Sequence, residues 1–348
     1  MSPTDTASPH HLLASVTRIT DLAQHGFETR PLPRAEWATG DYIVGRVTGR
    51  PTPLYQLELA NGRMIGVLED DLVVGALGDR AATLEGVGEW AAIGADGALN
   101  ALTTAGLLGR ATSTSALLPG LMPLSYEGHV MRGTTHLRMA DFVPEVAQQS
   151  LDVPVVLLVG TSMSAGKTTT GRLIIHELKK SNLRIVGAKF TGAARYRDVL
   201  TYGDAGADAI IDFVDAGLPS TVVPRDTFKS AMRYMLNRVA ALQPDILVAE
   251  AGASPLEPYN GDVAIDALQK HVRLVALSAS DPYAVVGVQT AFGLTPDLIT
   301  GPATNTTAGI ELVEKLTGIP ALNLLDPHAS LPKLRQILRH AFPDLLVD

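Results

Sequence analysis

The chain has 348 residues, 46% of them apolar and 18% charged, a profile that provides a sizeable core and enough length for two domains. A net charge of −8 argues against nucleic acid or an anionic membrane as the main partner, and the absence of cysteine excludes disulfides, thiolate nucleophiles and Cys-based metal sites. No apolar run approaches the roughly 20 residues of a membrane span, and the opening MSPTDTASPHHLL lacks the basic-then-apolar order of a signal peptide, so a cytoplasmic protein is expected.

Residues 1 to about 35 read as a polar lead-in with one short helical pattern, Leu12 to Leu22, followed by a Pro-punctuated stretch. From Gly40 the texture changes to short strands. LYQLELANGRMIGVLE alternates at Tyr55, Leu57 and Leu59, then places Asn61-Gly62 before a second apolar run, which predicts a hairpin. Further Gly-bounded strands continue to about Phe142. Residues 1–145 are therefore expected to form a small β-rich module, a barrel or a sandwich. PEVAQQSLDVP, from Pro144, reads as a linker or short helix.

After it, strands and helices alternate. VPVVLLVG is a continuous apolar run, as expected of a strand buried on both faces. A helix is predicted from Gly166 to Lys180, then strands in LRIVGAKF, PDILVAEAG, RLVALSAS and PDLITGP. This rhythm predicts a mostly parallel, doubly wound α/β sheet over residues 150–348.

The chemistry is concentrated in VGTSMSAGKTTTGRL, which joins the first of these strands to its helix. A phosphate-binding loop of the G-x-x-x-x-G-K-[ST] type works by turning successive backbone N–H groups toward phosphates, with a lysine on the β and γ groups and a hydroxyl on Mg²⁺. Gly166, Lys167 and Thr168 supply the second half. Five residues, not four, separate Gly160 from Gly166, so the strict pattern fails while the strand–loop–helix context fits. The alternative is a Gly/Ser-rich turn with a chance Gly-Lys-Thr. No lysine occurs from Ser162 to Ala165, which argues against the partitioning ATPases.

Three later stretches add charged groups at predicted strand ends, where open α/β sheets bind their ligands. VGAKFTG ends in Lys189, which is either a ligand-facing cation or a solvated strand end. GDAGADAIIDF carries Asp204 and Asp208, with Asp212 expected to cap or face solvent. ILVAEAGAS ends an apolar strand in Glu250, where an unpaired carboxylate would be costly and a bound Mg²⁺ would explain it.

In order and approximate spacing, VGTSMSAGKTTT, GAKFTG and VAEAGAS resemble the three motifs of dethiobiotin synthetase, in a group that includes cobyric acid synthase. That family has a GT-x5-GKT loop, so the stretched spacing is a feature the resemblance accounts for. AKFTGAA, DAIIDFVDAG and AEAGASPLEPYNGD also resemble an uncharacterised P-loop family associated with D-glutamate catabolism, over about residues 153–325. The resemblance implies a P-loop NTPase domain preceded by a smaller β-rich domain. It implies a nucleotide held by the loop (Thr161, Ser162, Met163, Ser164, Ala165, Gly166, Lys167, Thr168 and Thr169). It further implies Mg²⁺ on Thr168 and Glu250 with Asp208, or in its place Asp204, and a substrate carboxylate or transferring phosphoryl group met by Lys189; Thr191, Gly192, Arg195 and Asp204 are the further candidates for contacting the substrate. Ala251 stands where the families favour glycine.

ITGPATNTTAGIEL places Asn305 where its amide could read a nucleotide base, although Thr304, Asn305 and Thr306 are equally suited to cap the next helix. No Asn-Lys-x-Asp motif is present, which favours ATP over GTP. Arg195 and Arg197 in AARYRD are either an anion clamp or a solvated loop. EPYNGD could close over a substrate, His176 is expected at the surface, and His129 and His136 lack metal-like spacing. The expected activity is ATP- and Mg²⁺-dependent activation of a small carboxylate to an acyl phosphate, followed by amide formation, with Lys167, Lys189 and Glu250 as the acting residues. A small-molecule kinase, a nucleotide-dependent switch or metallochaperone, and a coenzyme A-dependent acyltransferase remain open. A homodimer or higher homo-oligomer is the expected assembly.

Overall fold

The computed structural model describes residues 11–49, 52, 55–116, 120–252 and 254–346; the first ten residues and Ala253 of the AEAGASPLEPYNGD stretch lie outside them. Two compact units divide the chain. One takes in the described residues up to Arg80, then Gly86–Phe142 and Ala194–Tyr196; the other takes in Ala81–Glu85, Val143–Ala193 and the residues from Arg197 onward.

The first unit is β-rich. Leu72–Leu77 pairs with Tyr42–Val47, which pairs with Pro123–Arg132, then Ala98–Ala101, then Leu107–Thr114, and that strand pairs back onto Leu72–Leu77. The sheet thus closes on itself, which decides for a barrel over a sandwich and removes the free edges among these five strands. Val44, Val74, Leu99, Leu107, Leu124 and Val130 are buried in it. The Asn61-Gly62 hairpin forms between Gln56–Glu58 and Met64–Gly66, with Gly62 at φ 82°.

The expected helix over Leu12–Leu22 does not form. His11–Leu13 instead adds as a parallel strand to Leu72–Val74, and only Ser15–Thr17 makes a helical turn, a short 3-10 one. Sheet pairing outweighs a helical spacing of leucines when the partner strand offers a complete ladder. His129 and His136, which looked unconnected in sequence, flank one buried carboxylate: Asp41 lies 3.3 Å from His129 Nε2 and 3.7 Å from His136 Nε2, with Arg138 Nε at 3.1 Å.

In the second unit six strands are all parallel: β1 (Val155–Gly160), β2 (Ile185–Lys189), β3 (Ala209–Asp212), β4 (Ile246–Glu250), β5 (Val272–Ser278) and β6 (Leu298–Thr300). Their order across the sheet is β3-β2-β4-β1-β5-β6. Every residue of β1, β2, β4 and β6 is buried, as their unbroken apolar runs require when helices cover both faces. The helices are α1 (Lys167–Lys179), α2 (Tyr196–Asp204), α3 (Arg225–Ala241), α4 (Gly261–Leu268), α5 (Pro282–Phe292), α6 (Thr307–Thr317) and α7 (Pro327–Ala341). The stretch from Pro144 to Val153 is neither helix nor strand. Among the described residues no helix is long and apolar enough to cross a membrane.

Candidate functional site

Strand register brings the chemistry together. Lys189 pairs with Asp212 on one side and with Glu250 on the other, Glu250 pairs with Leu158, Gly160 with Ser278, and Ser278 with Thr300. Read across the carboxyl edge of the sheet, the strand ends are therefore Asp212, Lys189, Glu250, Gly160, Ser278 and Thr300. Five of the six carry polar side chains, on strands whose bodies are apolar. The carboxyl edge is where an open parallel sheet leaves room for a ligand.

The loop after β1 runs into α1 at Gly166, whose φ of 99° is left-handed and whose position at the helix N-cap has no side-chain cap. A residue with a Cβ would be strained there. The uncapped N-terminus leaves backbone N–H groups for an anion. Lys167, only 3% exposed, folds back over the loop and donates from Nζ to the carbonyls of Ser162 at 2.7 Å and Met163 at 3.3 Å. Its stem runs between two glycines. A Cβ at Gly160 would stand 2.7 Å from Nζ, and one at Gly252 would stand 2.6 Å from Cε. Gly160, the residue that made the loop seem misspaced, is thus required by the lysine that the loop presents.

Glycine is needed at 252 and not one residue earlier. Ala251 is buried, and its N–H donates to the Leu158 carbonyl. Thr161 serves the loop's own support: its N–H donates to the Ser278 carbonyl, and its hydroxyl joins Ser280. Beneath the loop, the hydroxyls of Thr170, Ser278 and Thr300 lie within 3.2 Å of one another and tie α1 to β5 and β6. Sequence reasoning missed that cluster, because its members lie 22 to 130 residues apart.

Glu250, 2% exposed, accepts at Oε2 from Thr168 Oγ1 at 3.1 Å and from Tyr202 Oη at 2.7 Å. Burial pushes the Lys167 ammonium below its ordinary pKa, and Glu250 partly restores it. Burial acts in the same way on Lys189, but Asp198, Glu250 and Asp212 outweigh it and hold that ammonium above its ordinary value. Lys189 Nζ lies 2.5 Å from Asp198 Oδ2. Thr191 is fully buried, and its hydroxyl has no hydrogen-bond partner among the described residues. Gly192, at φ 132°, donates to Thr221 Oγ1 and closes over the Lys189 stem.

Beside the loop lies a cavity of about 160 Å³ lined by Ser164, Gly166, Thr169, Pro302, Asn305 and Leu325, among others. Thr306 caps α6 by accepting from Gly309 N, so the capping role falls to it and Asn305 is left on the cavity wall. Gly301, at φ 92°, packs so tightly that a Cβ would stand 2.4 Å from the Ala165 carbonyl oxygen.

Four sequence expectations are corrected. Asp208 is not beside Glu250: it precedes β3, at the opposite, amino edge of the sheet, where it binds Lys179 Nζ at 2.7 Å and accepts from Ile185 N. Asp204 is exposed at the last position of α2, which runs back toward that same edge. Asp212, expected to cap or face solvent, does cap the next turn by accepting from Val214 N at Oδ1, but it is 1% exposed and pairs in register with Lys189. The turn in EPYNGD is anchored, with Tyr259 fully buried and Asn260 Nδ2 donating to the carbonyls of Thr221 and Val223. Arg195 is exposed in the Ala194–Tyr196 segment that belongs to the first unit, and His176 is exposed on α1.

The donor set bears on which metal the site suits. Among the described residues no group of three or more His, Asp or Glu side chains is placed to hold a metal ion. Thr168 and Glu250 would offer one hydroxyl and one carboxylate. That fits Mg²⁺, which keeps several waters and takes the rest of its shell from phosphate oxygens.

No protein-family model matches the sequence, and no curated protein matches it. Among solved structures, the chain is similar to chloroplast FtsY from Physcomitrella patens, at 16% identity over 51% of this chain and 59% of that one, with a TM-score of 0.36. It is similar to a ParA-family ATPase from Chlorobium tepidum, at 12% identity over 49% and 84%, with a TM-score of 0.31. It is also similar to a DUF1611-family protein from Anabaena variabilis, at 18% identity over 58% and 60%, with a TM-score of 0.35. The chain spans about three fifths of the FtsY and DUF1611-family structures. Its own strand order, its buried all-parallel sheet and the glycine-bounded loop before α1 give the second unit an open, doubly wound α/β fold with a loop of the phosphate-binding kind at its carboxyl edge.

Proposed function

We propose that the carboxyl edge of the second unit's sheet is a phosphoryl-transfer site that uses ATP and Mg²⁺ to activate a small carboxylate. The observation that carries this is the convergence of Lys167, Thr168 and Glu250 at the end of β1 and β4, with Gly160 and Gly252 making room for the lysine. Lys167 would leave the Ser162 and Met163 carbonyls for the phosphates. The uncapped N–H groups of α1 would face the same oxygens, and the cavity at Asn305 would take the base. Mg²⁺, held through Thr168 and Glu250, would offset charge on the phosphates.

In the transfer step a carboxylate oxygen forms a bond to the γ-phosphorus while the bond to the β–γ bridging oxygen breaks, giving an acyl phosphate and ADP. An amine nitrogen then attacks the acyl carbon, phosphate leaves, and the nitrogen loses a proton, giving an amide. The enzyme's contribution is positioning and charge stabilisation, and no side-chain nucleophile is needed. Lys189, Thr191 and Gly192 border the same edge and would meet the acceptor, with the unpartnered Thr191 hydroxyl supplying a hydrogen bond. The order of motifs supports a dethiobiotin-synthetase-like placement.

The test has two stages. A thermal-shift screen with ATP, GTP and acetyl-coenzyme A, each with and without Mg²⁺, should show stabilisation by ATP, because selective binding stabilises the folded state. Incubation with ATP, candidate acids and hydroxylamine should then yield a hydroxamate. Preference for acetyl-coenzyme A would overturn the nucleotide assignment. ATP consumption with a phosphorylated product and no hydroxamate would point to a kinase.

A further inference from the structure

Tyr202 is a fully buried tyrosine on α2, and nothing in the sequence motifs marks it. Its ring occupies a slot cleared by glycines on two other elements. At Gly187 of β2 the three atoms nearest to an added Cβ all belong to Tyr202, the closest 2.8 Å away. At Gly171 of α1 an added Cβ would stand 2.8 Å from Tyr202 Cε1 and 2.9 Å from its Oη. The slot ends at Glu250, where the phenol donates to Oε2 at 2.7 Å.

We infer that Tyr202 is a positioning residue for the metal site, holding the Glu250 carboxylate in the one orientation that serves Mg²⁺ together with Thr168. This rests on the phosphoryl-transfer assignment above. Thr168 can keep donating its proton to Glu250 Oε2 while offering a lone pair to a metal, but the pair is aimed only if Glu250 stays in place. Both protein hydroxyls converge on the same oxygen, Oε2, and leave Oε1 to other partners. A phenol is an O–H donor at neutral pH, so it can hold the carboxylate oxygen without competing for the metal. Mutating a partner that orients a metal-binding group typically costs about 10–100-fold in metal affinity or activity.

The experiment is calorimetric titration of a non-hydrolysable ATP analogue into the full-length protein across a Mg²⁺ series and in EDTA. Wild type, Tyr202→Phe, Glu250→Gln and the double variant are compared, with a thermal melt for each. Tyr202→Phe should leave the EDTA affinity unchanged and raise the Mg²⁺ concentration for half-maximal enhancement about 10-fold. The shift should vanish in the Glu250→Gln background, because Tyr202 acts through that carboxylate. Gly187→Ala, which displaces the ring and keeps the hydroxyl, should move the Mg²⁺ requirement in the same direction and replaces Tyr202→Phe should the latter not fold. An unchanged Mg²⁺ requirement overturns the inference. So does equal loss of affinity in EDTA, which assigns the tyrosine a packing role, and so does simple additivity in the double variant. A wild type that binds no nucleotide under any condition removes the phosphoryl-transfer assignment itself, a result distinct from the other three.

Discussion

Asp208 and Asp212 stand at the two ends of one short strand, each near a lysine, and their surroundings differ in kind. At the amino edge, Asp208 and Lys179 are both about a third exposed, and Asp208 also accepts from the first N–H of β2. That is a pair any surface can tolerate, worth little because water screens it. At the carboxyl edge, Asp212 and Lys189 are buried within reach of Glu250 and Asp198. Burying charges costs several kcal/mol per ion in effective terms unless each is well paired. A cluster of this kind is poor evidence for stability and good evidence for a site. The two edges can be told apart by measurement.

The largest effect is expected at Lys167. Replacing it with alanine removes the ammonium that faces the phosphates and should lower ATP turnover by about 10²–10³-fold or more. Circular dichroism should show the fold retained, while the melting curve reports only the loss of the Nζ hydrogen bonds to the Ser162 and Met163 carbonyls. Turnover that survives intact would falsify the assignment of the carboxyl edge as the reactive one. Glu250→Gln comes next. It keeps the shape, and the amide can still accept from Tyr202 and Thr168, but the charge is lost. The Mg²⁺ requirement for turnover should rise about 10- to 100-fold, read as the midpoint of a Mg²⁺ titration.

Gly252→Ala probes the same edge by volume alone. The new methyl would meet Lys167 Cε and Cδ at 2.6 and 2.7 Å, so the lysine must shift. Nucleotide affinity should fall about tenfold, equivalent to roughly 1.4 kcal/mol. A calorimetric affinity equal to wild type would show that Lys167 leaves this path when the ligand binds.

The contrast between the edges also explains what the sequence could reveal. Apolar runs such as Val155–Val159 and Ile246–Ala249 announced buried parallel strands, and Gly166-Lys167-Thr168 announced the loop, because both signals are local. Glu250 and Lys189 were legible because each closes such a run. Asp208 and Asp212 were not separable, since DAIID carries acids on both sides and only strand register says which end meets Lys189. Tyr202 was invisible for a related reason: its slot is written as two lone glycines, Gly171 and Gly187, in other elements. The Leu12–Leu22 pattern misled because helical spacing does not record a waiting sheet edge at Leu72–Val74.

Asp208→Asn is the smallest change and the sharpest control. If the amino edge is structural, ATP turnover and its Mg²⁺ dependence should match wild type, which directly opposes the behaviour of Glu250→Gln. Stability should fall only slightly, by about 0.5 kcal/mol after allowance for solvent screening, because the pair is partly exposed. The pH dependence carries the sign. Lys179 and the Ile185 N–H hold the Asp208 carboxyl below its ordinary 3.8, so the stabilisation is fully present above that value. It fades as pH falls through the lower, folded-state value. Denaturant melts of wild type and variant should therefore differ at neutral pH and converge below the ordinary carboxylate range. A gap that persists unchanged in acid would mean the aspartate acts through something other than its charge.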